Sequence, residues 1–212
     1  MAELFNDDIL KQLKDALKEI ENPMEIVTFV ESGKPLCDET VSMMKQLSEL
    51  NDKLSFTEYD LDKDTEKAKE FGIDKAPGTT FVLNGVGNGV KFYGLPGGHE
   101  INSLIFALIE SSNNKTTLGE DIENAIKAID KKVNIKVFVG LGCPHCPQAV
   151  MIAQKAAMIN PNIEAEMIQA DLYEDLSRKF GIRSVPHTFF NDKENILGAQ
   201  PIPAFLEKLQ NA

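Results

Sequence analysis

Phe71-Gly72-Ile73-Asp74-Lys75-Ala76-Pro77-Gly78-Thr79 returns 109 residues later as Phe180-Gly181-Ile182-Arg183-Ser184-Val185-Pro186-His187-Thr188. A chain that repeats itself folds as copies of one unit, so this offset constrains the architecture before any other feature. The same offset lays Ile26, Phe29 and Val30 on Ile135, Phe138 and Val139, and from Ile26 to Phe81 it gives 15 identities in 56 ungapped positions. It also lays Ile9, Leu13, Leu17 and Ile20 on Leu118, Ile122, Ile126 and Ile129. The period is too long for a solenoid and suits a duplicated domain. The polar run Ser111-Ser112-Asn113-Asn114-Lys115 marks the join, giving units at residues 1–112 and 116–212. Thr117 and Glu120 have the spacing of a capping box that opens the second unit's first helix.

Each unit reads as helix, strand, helix, strand, helix, then a strand pair and a closing helix. Residues 8–20 and 118–130 carry apolar side chains three and four apart, as an amphipathic helix does. Residues 26–30 and 135–139 are β-branched and aromatic, as a buried strand is. Helical periods follow at 41–50 and 149–159, strands at 54–59 and 163–168, and short acidic helices at 63–71 and 172–180. The runs after Pro77 and Pro186 begin third strands. Strands alternating with helices predict an α/β unit with a central mixed sheet.

Composition then removes whole classes of function. The longest apolar run, Leu104 to Ile109, falls far short of the ~18 residues a membrane span needs, so no membrane role is expected. With 22 Lys and Arg against 33 Asp and Glu, the net charge of −11 argues against a nucleic acid partner. The acidic start, Met-Ala-Glu-Leu-Phe-Asn-Asp-Asp, is unlike a secretory signal, which leads to the expectation of a cytoplasmic protein. Three cysteines are too few for a disulfide framework, which turns attention to the pair Cys143 and Cys146.

Cys143-Pro144-His145-Cys146 falls between an expected strand and an expected helix. That placement sets the first cysteine at a helix N-terminus, where free N–H groups and the dipole stabilise a thiolate. Two intervening residues permit a reversible disulfide within one turn, and His145 offers a neighbouring positive charge. Half a zinc site has the same spacing. There is no second such pair, however, and only Cys37, His99 and His187 remain as soft ligands, so no metal is expected.

With this motif at a strand–helix junction and Val185-Pro186 lying 43 residues beyond Cys143, the sequence resembles the thioredoxin superfamily. The duplication, and Phe92-Tyr93-Gly94-Leu95-Pro96-Gly97-Gly98-His99-Glu100, narrow the resemblance to the tandem thioredoxin-fold protein disulfide oxidoreductases, the glutaredoxin-like proteins. The related N-terminal domain of the alkyl hydroperoxide reductase flavoprotein is similar too. The resemblance implies two tandem thioredoxin-like folds, each a central mixed β-sheet flanked by helices. It also implies a cis peptide before Pro186, with Val185 and Pro186 lying against the redox disulfide and docking an extended substrate.

The offset lays Lys34-Pro35-Leu36-Cys37 on the motif, so Lys34 stands where the nucleophile would be and the first unit cannot form the disulfide. Cys37 reads as a buried apolar thiol, with a regulatory thiol as the alternative. Resolving a mixed disulfide needs a proton acceptor, yet Ile135-Lys136-Val137-Phe138-Val139 holds no carboxylate, and Lys136 would point away from the core. The resemblance offers Glu100 from the first unit for this role; a helix N-terminal carboxylate favoured by the dipole is the competing reading. His99 reads as a local hydrogen-bond partner, and His187 as either a substrate contact or a turn or strand-edge residue. The methionines Met43, Met44, Met151, Met158 and Met167 read as core. Gly85, Gly87 and Gly89 read as a turn rather than a nucleotide loop.

The expectation is therefore a dithiol-disulfide oxidoreductase, a protein disulfide reductase active only in its second unit. Cys143 attacks, Cys146 resolves, and Pro144, His145, Val185 and Pro186 surround them. No bound cofactor is expected beyond the disulfide itself. By resemblance, a thioredoxin-reductase-like flavoprotein donates electrons and a disulfide-containing protein such as a peroxiredoxin accepts them. The Pro-His dipeptide keeps an isomerase or oxidase open, and a noncatalytic metal- or cluster-binding module is the reading from another class.

Overall fold

The strand and helix periods that recur at the 109-residue offset recur as elements in the computed structural model, which describes residues 5–212. The first four residues of the acidic start lie outside them. In the first unit the order is α1 (Asp7–Leu17), β1 (Met24–Val30), α2 (Cys37–Ser48), β2 (Leu54–Asp60), α3 (Thr65–Phe71), β3 (Gly78–Leu83), β4 (Val86–Tyr93), a 3-10 turn (Gly98–Glu100) and α4 (Ile101–Asn113). The second follows as α5 (Glu120–Lys127), β5 (Val133–Val139), α6 (Cys146–Ile159), β6 (Ile163–Gln169), α7 (Glu174–Lys179), β7 (His187–Phe190), β8 (Glu194–Leu197) and α8 (Ile202–Asn211). Among the described residues no helix is long and apolar enough to cross a membrane.

Each unit is a mixed four-stranded sheet: β1 is parallel to β2 and antiparallel to β3, with β4 antiparallel beyond, and β5 to β8 repeat the pattern. The two sheets join edge to edge. Val90–Tyr93 of β4 pairs in parallel with Ala165–Ile168 of β6, making one eight-stranded sheet of order β2-β1-β3-β4-β6-β5-β7-β8. The join uses the last four residues of β4, whereas its counterpart β8 ends the sheet as an edge strand. Val90 and Phe92 point to the main core with Ile135, Val137 and Met167. On the opposite face Tyr93 joins Phe29, Phe138 and Ile168. Leu17 and Ile126, equivalent in the repeat, are both fully buried, as their helical periods demanded.

Two local expectations are corrected. Thr117 does not cap α5. Its N-cap is Gly119 with no side-chain bond, because the Thr117 hydroxyl donates to Glu110 Oε1 (3.0 Å) and accepts from Lys155. The Glu110–Lys155 pair, 2.9 Å apart and largely buried, captures the hydroxyl that would have capped the helix. Nor is the polar run at 111–115 wholly a connector. Ser111 and Ser112 are buried in the last turn of α4, and Ser112 Oγ accepts from Asn22 N–H and donates to Asn22 C=O. Polar side chains there tie α4 to the turn before β1. The chain leaves the helix only at Asn114, which takes a left-handed conformation (φ 49°).

Candidate active site

The redox motif sits where β5 runs out of sheet. Val139 is the last residue of β5, the chain turns at Gly140, and the Cys143 N–H closes the turn on the Gly140 carbonyl at 2.9 Å. A Cβ at 140 would lie in ordinary contact with Val185 Cγ2 at 3.4 Å, which places this turn against the residue before Pro186. The helix begins at Cys146, with Pro147 in its first turn, where the missing N–H costs nothing. Cys143 therefore stands in the turn ahead of α6 rather than in its first turn, a refinement of the expected placement. The positive end of the helix dipole still lies behind it.

Cys143 and Cys146 form a disulfide with their Cα atoms 5.5 Å apart. Their surroundings differ. Cys146 is fully buried in the main core, while Cys143 is half-buried and Pro144 and His145 are exposed. Only Cys143 thus offers sulfur to an incoming protein. Val185 precedes a cis peptide to Pro186, and its carbonyl oxygen lies 3.7 Å from Cys143 Sγ. In the dithiol form that contact is a weak S–H···O bond. Pro186 is buried and its carbonyl accepts from Gly198 N–H (2.8 Å).

Glu100 reaches this end of the second unit from the first. Its 3-10 turn packs against α6, and the neighbouring His99 N–H donates to the carbonyl of Leu141 (3.1 Å), two residues before Cys143. The side chain is fully buried. Oε2 is hydrogen-bonded by the Ser103 hydroxyl, and Oε1 has no partner. Burial pushes the carboxyl up to about 7, against the lesser opposing effect of Ser103. An ionisable group held at that value can move a proton near neutral pH, and its turn packs against the helix that Cys146 opens.

The other sites noted in the sequence are spread more widely. His99 is exposed; His187 is half-buried, lies tilted against Phe189 at 4.5 Å between ring centroids and meets Asn195 Oδ1 at 3.2 Å, and because β7 is paired on both sides, with β5 and β8, it is not the strand-edge residue expected. Lys136 turns from the core to Asn134 Oδ1 (2.6 Å) and Asp192 Oδ1 (2.7 Å). Cys37 opens α2, is 5% exposed, and has its thiol pushed up by burial, as befits a core thiol. The first unit also holds a cis peptide, Ala76–Pro77, at the position equivalent to Val185–Pro186. Three contributors carried no signal in the sequence: Ser103 under Glu100, the Leu141 carbonyl, and Gln169, whose Oε1 accepts from Leu95 N–H. Among the described residues no group of three or more His, Cys, Asp or Glu is placed to hold a metal.

Comparison with known proteins agrees with this geometry. A thioredoxin domain family model matches residues 133–211, most of the second unit. The F component of the alkyl hydroperoxide reductase of Staphylococcus aureus (strain Mu50) is 29% identical over 206 residues, 97% of this chain. The chain spans only 38% of that relative's length. The NTD_N/C domain of alkyl hydroperoxide reductase AhpF from Enterococcus faecalis superposes with a TM-score of 0.91 at 28% identity, covering 97% of this chain and 99% of that one. A protein disulfide oxidoreductase from Aeropyrum pernix K1 gives 0.90 at 27% identity, covering 99% and 94%. The chain is a homologue of the AhpF N-terminal domain and of the archaeal protein disulfide oxidoreductase, a thioredoxin-fold disulfide oxidoreductase whose redox disulfide is Cys143–Cys146.

Proposed function

We propose that the chain is a protein disulfide reductase that relays electrons from a thioredoxin-reductase-like flavoprotein to a protein disulfide, with a peroxiredoxin as acceptor, in the cytoplasm. The two units, residues 1–112 and 116–212, divide the work: the second carries the redox pair and the first contributes Glu100. The observation that carries this reading is the asymmetry of the pair, Cys143 half-buried beside the Val185 carbonyl and Cys146 sealed in the core.

The steps follow from that asymmetry. Cys143 thiolate attacks one sulfur of the substrate disulfide, the substrate S–S bond breaks, and one substrate thiolate leaves as the mixed disulfide forms. Pro144, His145, Val185 and Pro186 form the surface on which the substrate lies. Cys146 then gives its proton to the Glu100 carboxylate and attacks Cys143 sulfur, expelling the second substrate thiolate. Two electrons have passed to the substrate, and the chain is left with its own disulfide for the flavoprotein to reduce. The likeness to AhpF, an alkyl hydroperoxide reductase component, supports the choice of donor and acceptor.

The reduction potential of the pair, measured against a defined thiol buffer in a Cys37→Ser background, tests the direction of flow. A value near ~−270 mV supports a reductant, and one of about −180 to −120 mV reverses the reading to isomerase or oxidase. Retained reductase activity in Cys143→Ser would remove the proposed nucleophile.

A further inference from the structure

The segment Gly94–Glu100, which leaves β4 and carries Glu100, is a strap laid across the second unit. It is fastened at both ends. At its far end His99 N–H bonds the Leu141 carbonyl, and Gly98 (φ +57°) passes so close that a Cβ there would collide with the same oxygen. At its near end Gly94 N–H donates to the Pro77 carbonyl (3.0 Å) within the first unit, and the next amide, Leu95 N–H, donates to Gln169 Oε1 (3.0 Å) of the second. Gly94 has φ +107°, and a Cβ on it would lie 2.6 Å from Gln169 Cβ and Oε1. Glycine is required there by the backbone and by the glutamine together.

Gln169 is only 3% exposed and is the last residue of β6, in register with Val139 at the end of β5, four residues before Cys143. Its backbone carbonyl accepts from Tyr173 N–H (3.1 Å), whose hydroxyl in turn donates to the Pro77 carbonyl (3.1 Å). Gln169 therefore ties the strap to β6, the strand paired with the one that leads to the nucleophile. The repeat shows what the position does without a strap to hold: its equivalent in the first unit is Asp60, whose Oδ1 caps its own loop through Asp62 N–H (3.1 Å) and Lys63 N–H (3.2 Å). The second unit has a longer amide there, turned to the other unit's backbone.

We propose that Gln169 is a positioning residue for the disulfide exchange, setting the lie of the strap and through it the place of the Glu100 carboxylate against Cys146. The inference rests on the reading of Glu100 as proton acceptor. The Ser103 hydroxyl of α4 bonds that carboxylate, and the 3-10 turn that carries it packs against α6, the helix that Cys146 opens. The charged residues farther along those helices, Glu110 and Lys155, pair with each other.

The test follows the resolution step alone, in full-length chain carrying Cys37→Ser. Prereduced protein is mixed with an aromatic disulfide whose released thiolate is coloured. The first equivalent of colour reports attack by Cys143, and the second reports loss of the Cys146 proton and closure of the internal disulfide. Gln169→Leu removes the acceptor, Gln169→Glu keeps an oxygen for Leu95 N–H, and Glu100→Gln removes the proton acceptor. Displacing a catalytic group by ~1 Å from a distance can cost about a hundredfold; because the Leu141 fastening remains, we expect about a tenfold slower second phase in Gln169→Leu, with its inflection moved to lower pH as water reaches Glu100, and near-native behaviour in Gln169→Glu. A Gln169→Leu protein with native second-phase rate and pH profile overturns the inference. An unaltered profile in Glu100→Gln overturns the reading beneath it, so the two failures are distinct. Should Gln169→Leu not fold, Gln169→Asn, which keeps the amide but falls short of Leu95, is expected to slow the second phase in the same direction, and a native phase there is equally fatal.

Discussion

Replacing Glu100 by Gln turns a buried acid into a neutral group of the same shape, and the structure says how stability should respond. In the unfolded chain the carboxyl ionises near its ordinary value of 4.5, and in the folded protein burial holds it up to about 7. Below 4.5 the acid is protonated in both states and folding is not penalised. Between 4.5 and about 7 the unfolded chain releases the proton and the folded chain keeps it, so stability falls as pH rises, and above about 7 the loss is complete. A displacement of this size at 1.36 kcal/mol per pKa unit is about 3 kcal/mol. Glu100→Gln does not titrate and should escape that loss. Urea unfolding of the oxidised protein, followed by far-ultraviolet circular dichroism because the chain has no tryptophan, measures the difference at each pH. The variant should gain about 3 kcal/mol on the native protein between about pH 4 and pH 8, whatever other carboxylates do, since they are common to both. If the stabilities of the two proteins run parallel across that range, Glu100 ionises at an ordinary pH and cannot be the proton acceptor.

Three further outcomes are expected. Tyr173→Phe, which loses the bond to the Pro77 carbonyl, should cost about 1 kcal/mol in urea unfolding; no loss would mean that the hydroxyl does not tie the units together. Lys155→Met strands the buried Glu110 carboxylate and should cost about 3 kcal/mol, with much of that restored when Glu110→Gln is added. A single variant within experimental error of the native protein would show the pair to be dispensable. Cys37, buried and with its thiol pushed up, should react with an alkylating reagent at about pH 8 far more slowly in the folded chain than in urea; equal rates would favour an accessible regulatory thiol.

Within a unit, the fold was legible because each strand writes its burial into a short stretch of its own. Ile26, Phe29 and Phe138 sit where β-branched and aromatic runs put them, and the repeat doubles the evidence for each. The join between units was not legible. Whether β4 or β8 finds a partner turns on what lies beside each strand, and Lys91 opposite Glu166 at the seam looks from the sequence like two ordinary exposed charges. The capping box failed for a related reason. Thr117 and Glu120 have the right spacing, but the hydroxyl is claimed by Glu110 and Lys155, partners that local spacing does not reveal.

The site divides along the same line. Cys143 and Cys146 are announced by spacing, because their chemistry needs them within one turn, whereas the proline at 186 was legible only through the resemblance. Glu100 was visible only through a motif in the other unit, and Gln169 not at all, since a single polar residue at the end of a strand resembles any other. What exposes both is the strap, which needs Gly94 and Gly98 to pass within contact of Gln169 and the Leu141 carbonyl. β5 carries no carboxylate, so under the proposed function the proton acceptor of the second unit is supplied by the first. On that reading Glu100 arrives at the end of a short segment fastened at both ends, by Leu95 N–H to Gln169 Oε1 and by His99 N–H to the Leu141 carbonyl.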